Sequence, residues 1–296
     1  MTEKPRLRGT LKLNELMSRH TSWRAGGPAQ HYYAPADLDD LATLLSGIDR
    51  SEPVLWLGLG SNLLVRDGGI RGMVIVTAGA LNKIEILENG LLRAEAGVTC
   101  AKVARAAAHA GLVGAEFLAG IPGTMGGALA MNAGAFGGET WSCVAAVETI
   151  DRCGNRYLRQ PDEYAIAYRS VRGPDGEWFT AAHLKLSDGD ADAATARIKE
   201  LLEKRNASQP IGLPSCGSVF RNPDGDYAAR LIEACGLKGT RIGGACVSEK
   251  HANFILNDRN ATAADIEALI EYVAATVEQQ HGVTLKREVH IVGERE

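Results

Sequence analysis

No apolar run in this 296-residue chain approaches the ~20 residues a membrane-spanning helix needs. Neither charge dominates: 32 Lys and Arg stand against 36 Asp and Glu, for a net charge of -4. Membranes and nucleic-acid polymers are therefore poor expectations as main partners, and a small-molecule site is the better one. The six cysteines (Cys100, Cys143, Cys153, Cys216, Cys235 and Cys246) include no CxxC pair. The opening stretch MTEKPRLRGTLKLNE has no apolar core of the secretory kind, so the thiols read as reduced and the protein as cytoplasmic. Sequons at Asn206 and Asn260 then carry no weight. HExxH, GxxxxGK[ST] and GxSxG are all missing, and no metal site is expected.

What is present is ordinary globular material, 45% hydrophobic and 23% charged, with length for about two domains at roughly 150 residues each. Glycine is the exception, with 34 residues against an average near 7%. Nine of these lie in the 28 residues from Gly111 to Gly138, and Gly58, Gly60, Gly68, Gly69 and Gly72 form a second cluster. Glycine serves where backbone takes positive φ or approaches a ligand closely, so the clusters predict two ligand-wrapping loops.

Leu38, Leu41, Leu45 and Ile48 recur at helical spacing, and Val54–Leu57 and Met73–Thr77 read as buried strands. Residues 84–95 predict a hairpin with a type I′ turn at Asn89-Gly90, and 99–110 a helix stopped by Gly111. A second hairpin spans 145–159 around Cys153-Gly154-Asn155, followed by a strand at 178–186 and an amphipathic helix at 192–205. The two prolines and glycine of 209–214 mark a boundary. Beyond it come a helix at 227–235, a strand at 252–257, and a helix from a Thr262/Asp265 capping pair to Gly282. A closing strand is expected at 285–292. The class is α+β with mixed sheets.

Gly58-Leu59-Gly60-Ser61-Asn62-Leu63 starts like a dinucleotide fingerprint but lacks its third glycine, so a Rossmann reading fails. An anion nest suits it better, with consecutive N–H groups and the Ser61 and Asn62 side chains around a pyrophosphate. The stretch Gly120-Ile121-Pro122-Gly123-Thr124-Met125-Gly126-Gly127-Ala128, continuing through Asn132 and Gly134, is as poor in bulk as close contact with a flavin ring demands. Tight helix–strand packing is the bland alternative, and it does not easily account for both loops.

Thr21 to Ala29, Gly58 to Asp67, Gly120 to Gly138, Tyr168-Arg169-Ser170, Cys216 to Pro223, Gly243-Gly244-Ala245, His251-Ala252-Asn253-Phe254 and Glu288-Val289 resemble, in order, the motifs of the UDP-N-acetylenolpyruvoylglucosamine reductase family. The resemblance covers residues 20 to 293. It implies two FAD-binding subdomains of the vanillyl-alcohol-oxidase type, at 1–79 and 80–208, and a C-terminal α+β substrate-binding domain at 209–288, with 289–296 returning to the first. It further implies a cytoplasmic enzyme of peptidoglycan precursor synthesis. NADPH reduces noncovalent FAD, which then passes hydride to the enolpyruvyl ether of the UDP-sugar. Gly58, Gly60, Ser61, Asn62, Leu63 and the residues Gly120–Thr124, Gly126–Ala128, Asn132 and Gly134 are then the cofactor contacts.

Hydride addition to an enolpyruvyl methylene places charge on the neighbouring carboxylate, so the site needs an electrostatic stabiliser and a proton donor. The family motifs place Arg169 and Glu288 in the first role and Ser218 in the second, with all three converging on one pocket. Arg221, Asn222, Lys250 and His251 are carried over as substrate contacts. Without the motifs, Arg169 reads as a surface arginine, Ser218 as a turn cap and Glu288 as a solvated carboxylate. Three departures stand out. Leu59 occupies the centre of the first loop, Tyr168-Arg169-Ser170 lacks the usual spacer, and no tyrosine lies between Arg169 and Ser218. The last places the chain in a short subclass without the nucleotide-covering loop. A covalent-flavin oxidase is disfavoured because 58–69 and 114–138 hold no His or Cys. A nucleotide-binding module without redox chemistry would purify colourless.

Overall fold

The computed structural model describes residues 6–296. Among these described residues the α-helices are α1 (Leu38–Gly47), α2 (Cys100–His109), α3 (Met125–Met131), α4 (Ala191–Ser208), α5 (Ala228–Ala234) and α6 (Ala263–His281). Local chemistry accounts for most of their ends. Asp37 accepts the Asp40 N–H at the start of α1, and Thr99 accepts the Lys102 N–H at the start of α2. The capping box on α6 closes in both directions, Asp265 N–H to Thr262 Oγ1 and Thr262 N–H to Asp265 Oδ2, each at 3.1 Å. Gly111 (φ +72°) and Gly282 (φ +67°) take the left-handed turns that end α2 and α6.

The chain divides into two compact units. Of the described residues, the first comprises 6–12, 32–58 and 72–204. One of its cores packs Leu41, Leu44 and Leu45 of α1 against Tyr33, Met73, Ile75 and Ile150. Within it Val54–Leu57 pairs in parallel with residues 73–76, part of a four-stranded sheet ordered Thr10–Leu16, Pro28–Ala34, Ile70–Val76 and Val54–Leu57. The other core lies on a five-stranded antiparallel sheet ordered Arg156–Arg159, Val144–Asp151, Glu177–Leu184, Leu92–Glu95 and Ile84–Ile86. Val103, Ala104, Ala107 and Ala108 of α2 belong to that core, with Met125, Ala128 and Leu129 of α3. Both predicted hairpins are present. The turn of the first is not type I′, however: only Gly90 has positive φ, and its N–H closes on the Leu87 carbonyl within a loop of five residues.

The second unit comprises 13–31, 59–71 and 205–296. A three-stranded antiparallel sheet, Arg241–Ile242, Ala245–Val247 and Ile255–Asn257, packs with α5 and α6 around one core. Ile266, Leu269, Ile270, Val273 and Val277 of α6 are all buried, as their spacing predicts. Segments 13–31 and 59–71 are thus grouped away from the contiguous 1–79 expected from sequence. The reason is visible in two places. Trp23 is fully buried, donates through Nε1 to the Ile255 carbonyl at 2.7 Å, and its own carbonyl accepts from Asn257. Leu63–Val65 pairs in parallel with His290–Val292.

The closing strand is therefore shorter than expected, three residues rather than 285–292, and the strand expected at 252–257 is only Ile255–Asn257. The glycine-rich stretch 120–138 is not a single loop either. It contains α3, capped by Thr124, and a two-stranded ribbon of Gly134–Ala135 with Gly138–Glu139. The overall class is α+β.

Candidate active site

In the second unit, two segments about seventy residues apart in sequence are stitched side by side. Phe220 and Arg287 form an antiparallel bridge. The Arg221 N–H donates to the Lys286 carbonyl at 2.9 Å, and the Glu288 N–H to the Val219 carbonyl at 2.8 Å. Ser218 and Glu288 are therefore neighbours through their backbones, each half-buried. Asn62 completes the arrangement: its Nδ2 donates to the Glu288 carbonyl at 3.0 Å, and its own carbonyl accepts the His290 N–H at 3.1 Å. The side chain expected to grip a pyrophosphate is thus engaged with the main chain that carries the carboxylate.

Arg221 lies within the influence of His290, whose imidazole is held below its usual range by partial desolvation and then by the Arg221 charge. The Arg221 Nε is buried and has no hydrogen-bond partner. A cation so placed suits an anionic group. Asn222 caps the entry to α5, accepting the Ala228 N–H at 3.1 Å. Lys250 donates to the Asn206 carbonyl at 2.6 Å, and His251 packs edge-on against Phe254, with burial pushing its imidazole pKa down. These last three have structural employment, and at Lys250 and His251 the backbone is tied down as well, both N–H groups donating to the hydroxyl of the buried Ser248.

The first unit holds Arg169 at the tip of a hairpin formed by Ala165–Ala167 and Ser170–Arg172. Its φ of +53° is uncommon for a side-chain-bearing residue. The guanidinium donates to the Gly134 carbonyl at 3.2 Å and the Asn132 carbonyl at 3.4 Å, which ties it to the end of the glycine-rich stretch. Asn132 is itself at φ +46° and buried. Its amide donates to Glu139 and to the Ala167 carbonyl, and accepts the Trp141 N–H. It anchors the hairpin that carries Arg169.

Cβ atoms added to the glycines sort them by cause. On Gly58 such an atom would meet Thr124 Oγ1 at 2.5 Å, and on Gly126 the Ala96 Cβ at 2.9 Å. On Gly60 it would overlap the His20 carbonyl, on Gly120 the Phe136 ring, and on Gly134 the Gly138 carbonyl at 2.5 Å. Protein packing therefore accounts for glycine at Gly58, Gly60, Gly126 and Gly134, while at Gly120 the obstacle is the edge of the exposed Phe136 ring, and the bland alternative explains more of both clusters than the sequence led us to expect. Gly127 is different. It is exposed, with Thr124 Oγ1 at 3.7 Å the nearest atom to its projected Cβ. This open, side-chain-free backbone leaves room for a flat cofactor or its phosphates, and Pro122 of the same stretch is exposed as well.

Two further residues were not given roles from sequence. Asn253 is buried and templates the serine segment: its Oδ1 accepts the Phe220 N–H at 3.0 Å, its Nδ2 donates to the Phe220 carbonyl at 2.8 Å, and its carbonyl accepts the Val219 N–H at 2.9 Å. A polar amide amid the apolar run Ala252–Leu256 was the available signal. Cys216, two residues before Ser218, points its buried thiol at the carbonyls of Gly60 and Leu63, and burial pushes its pKa up to about 12.

Comparison with known proteins bears on the same segments. Residues 209–292 match the model of the UDP-N-acetylenolpyruvoylglucosamine reductase C-terminal domain, and residues 29–157 an FAD binding domain. The UDP-N-acetylenolpyruvoylglucosamine reductase of Alkalilimnicola ehrlichii is 61% identical over 286 residues, covering 97% of this chain and 96% of the relative. That of Nitrosococcus oceani is 60% identical over 288 residues, covering 97% of each. Among solved structures, UDP-N-acetylenolpyruvylglucosamine reductase from Thermus caldophilus superposes with a TM-score of 0.82 at 33% identity, over 96% of this chain and 98% of that one. This chain belongs to the UDP-N-acetylenolpyruvoylglucosamine reductase family of flavin oxidoreductases.

Proposed function

We propose that the protein reduces UDP-N-acetylglucosamine enolpyruvate to UDP-N-acetylmuramate, the cytoplasmic reductive step in making the peptidoglycan precursor, with NADPH as electron source and noncovalent FAD as carrier. The observation that carries this reading is the backbone stitch that sets Ser218 beside Glu288. Flavin held by the glycine-rich segments would supply the hydride chemistry, linking the nicotinamide to the enolpyruvyl methylene carbon.

The remaining work falls to the chain. Reduction at the methylene leaves an enolate on the substrate carboxylate, and Arg169 and Glu288 stabilise that charge pattern in this reading. Glu288 must then be protonated, or share a proton with the enolate, to avoid adding repulsion. The Ser218 hydroxyl delivers a proton to the carbon bearing the ether oxygen. An ordinary serine is a weak acid, so this role demands tight placement; the Asn253 template and the Glu288 stitch, which hold the backbone of the two residues that follow it, support such placement. Arg221, with Asn222 beside it, is assigned to the substrate diphosphate.

The test is to purify the protein, record its flavin spectrum, bleach it with NADPH and restore it anaerobically with the enolpyruvyl substrate. Ser218→Ala is expected to leave bleaching near normal and to slow restoration by about 10²–10⁴-fold. Restoration by oxygen alone would instead indicate an oxidase, a colourless protein would exclude both, and equal damage to the two half-reactions would remove Ser218 from the proton step.

A further inference from the structure

We infer that Asn62 is a positioning residue for Glu288, so that the loop Gly60–Leu63 sets the catalytic carboxylate as well as lining the cofactor. The inference rests on the functional reading above, and it assigns Asn62 a role that the anion-nest expectation did not contain.

The peptide groups of Glu288 are held from two sides. Its N–H is fixed by Val219, from the segment that carries Ser218, and its carbonyl by the amide of Asn62. The Asn62 main chain then receives His290 N–H, two residues further on, so one residue brackets Val289 with two hydrogen bonds. Parallel pairing of Leu63 with His290, Leu64 with Ile291 and Val65 with Val292 continues the register. A second tie leaves the same loop for the serine: the Cys216 thiol reaches the Gly60 and Leu63 carbonyls at 3.6 and 3.5 Å. The loop itself cannot drift. Ser22 N–H donates to the Gly60 carbonyl, and backbone of His20 and Thr21 fills the space where a Gly60 Cβ would lie.

A hydrogen bond from a side-chain amide to a main-chain carbonyl orients that carbonyl and, through it, the Cα of the residue. Losing it frees Glu288 on one side only, since the Val219 bond remains. The expected result is a carboxylate that is present but imprecisely placed, which penalises the step needing it far more than binding of the cofactor.

Asn62→Asp tests this directly, because it keeps the shape and turns the donor into an acceptor facing the Glu288 carbonyl. In the holoenzyme, with both rates taken per bound flavin, we expect restoration by substrate to slow about 30-fold or more, well beyond any change in NADPH bleaching. Amide hydrogen exchange over 286–292 should accelerate at least tenfold. Lowering pH protonates the substituted carboxyl and restores a donor, so restoration should partly recover on the acid side in Asn62→Asp and not in Asn62→Ala. In a Glu288→Gln background, Asn62→Ala should cost less than a further threefold. Unchanged exchange over 286–292, flavin loss with an otherwise normal second half-reaction, or full multiplicativity with Glu288→Gln would each overturn the inference. Should Asn62→Asp not fold, Asn62→Ala carries the exchange and double-variant measurements. Failure of wild type to be restored by substrate would sink the functional reading instead, and the exchange result would still stand on its own.

Discussion

Glu267 is a heavily invested carboxylate of the second unit, and its replacement by glutamine should be costly in a pH-dependent way. It lies on α6, is 5% exposed, and takes two charge-assisted bonds from Arg66, Nε and Nη2 each at 2.8 Å, with a third from Arg295 at 3.0 Å. Arg66 also donates to the Gly293 carbonyl and directly follows the strand that pairs with His290–Val292. The Arg66 bond, ahead of that from Arg295, holds the Glu267 carboxyl down at about 2, against an ordinary value near 4.5. At ~1.4 kcal/mol per unit this corresponds to about 3 kcal/mol. Breaking one side of a buried ion pair costs roughly 3–5 kcal/mol by a separate route, to be reduced because Arg66 keeps some exposure. We therefore expect Glu267→Gln to destabilise the second unit by about 2–3 kcal/mol, a fall in urea midpoint of about 1 M if the slope is ~2–3 kcal/mol/M.

The sign with pH follows from the depressed value. A carboxyl whose folded pKa lies below its unfolded one contributes fully above about 4.5, and that contribution is lost as pH falls towards 2. The gap between wild type and Glu267→Gln should be full at pH 7 and shrink to about half or less at pH 3. Urea titration followed by hydrogen exchange of α6 amides measures it in the right unit. A gap of the same size at both pH values, or a midpoint change below about 0.3 M, would refute the reasoning.

Gly60→Ala should destabilise by roughly 3 kcal/mol or more, since its φ is +60° and the His20 carbonyl occupies the Cβ position; soluble, fully stable Gly60→Ala would contradict that packing. Gly127→Leu, by contrast, should leave thermal stability of the flavin-free protein within about 1 kcal/mol while weakening FAD at least tenfold, as read by flavin fluorescence; unchanged affinity would move the cofactor elsewhere. Trp56 and Trp178 stack at 5.1 Å with planes 1° apart, so near-UV circular dichroism should carry a coupled indole signal that Trp178→Phe abolishes. His290 is held below its ordinary 6.5, so its contribution to stability is present above that pH and lost as pH falls through the folded value. Histidine NMR titration should show a midpoint below 6.5 that rises in Arg221→Gln; a midpoint at or above 6.5 would remove the Arg221 influence.

Local chemistry made the helices legible: Asp37, Thr99 and the Thr262/Asp265 pair announce their starts, and α6 carries its buried face in a plain 3.6-residue period. The strands Thr10–Leu16 and Pro28–Ala34 were missed for a physical reason. The first is an edge strand exposed along nearly its whole length, with Leu11 and Leu13 at 53% and 64% exposure, so hydrophobicity does not mark an inside face. α3 was hidden because two of its seven residues are glycines, poor helix formers; Thr124 caps the helix, and packing against Ala96 accounts for Gly126. The pairing of residues 218–221 with 286–289 is long-range, and no periodicity encodes it. Only the family resemblance pointed to Ser218 and Glu288 together, and nothing in the motif singled out Asn253, which holds the serine segment from behind.

The glycines show why composition alone misleads about a cofactor site. Gly58, Gly60, Gly126 and Gly134 look like a ligand cradle in sequence, yet each is required by a protein atom already in its Cβ space. Loss of flavin on mutating any of these four would therefore follow from a displaced backbone even if no flavin atom came near. Gly127 lacks that ambiguity, because its Cβ space is open. The same logic applies to the carboxylate: Glu288→Gln replaces the carboxyl with an amide of the same shape on an unmoved peptide, whereas Asn62→Asp moves the peptide that carries it. If catalysis depends on where Glu288 sits, the two changes should produce the same kinetic defect through different exchange behaviour, fast at 286–292 only for Asn62→Asp. Slow exchange in both, with equal rates, would mean that the peptide never moved and that the carboxylate tolerates loss of its amide tether.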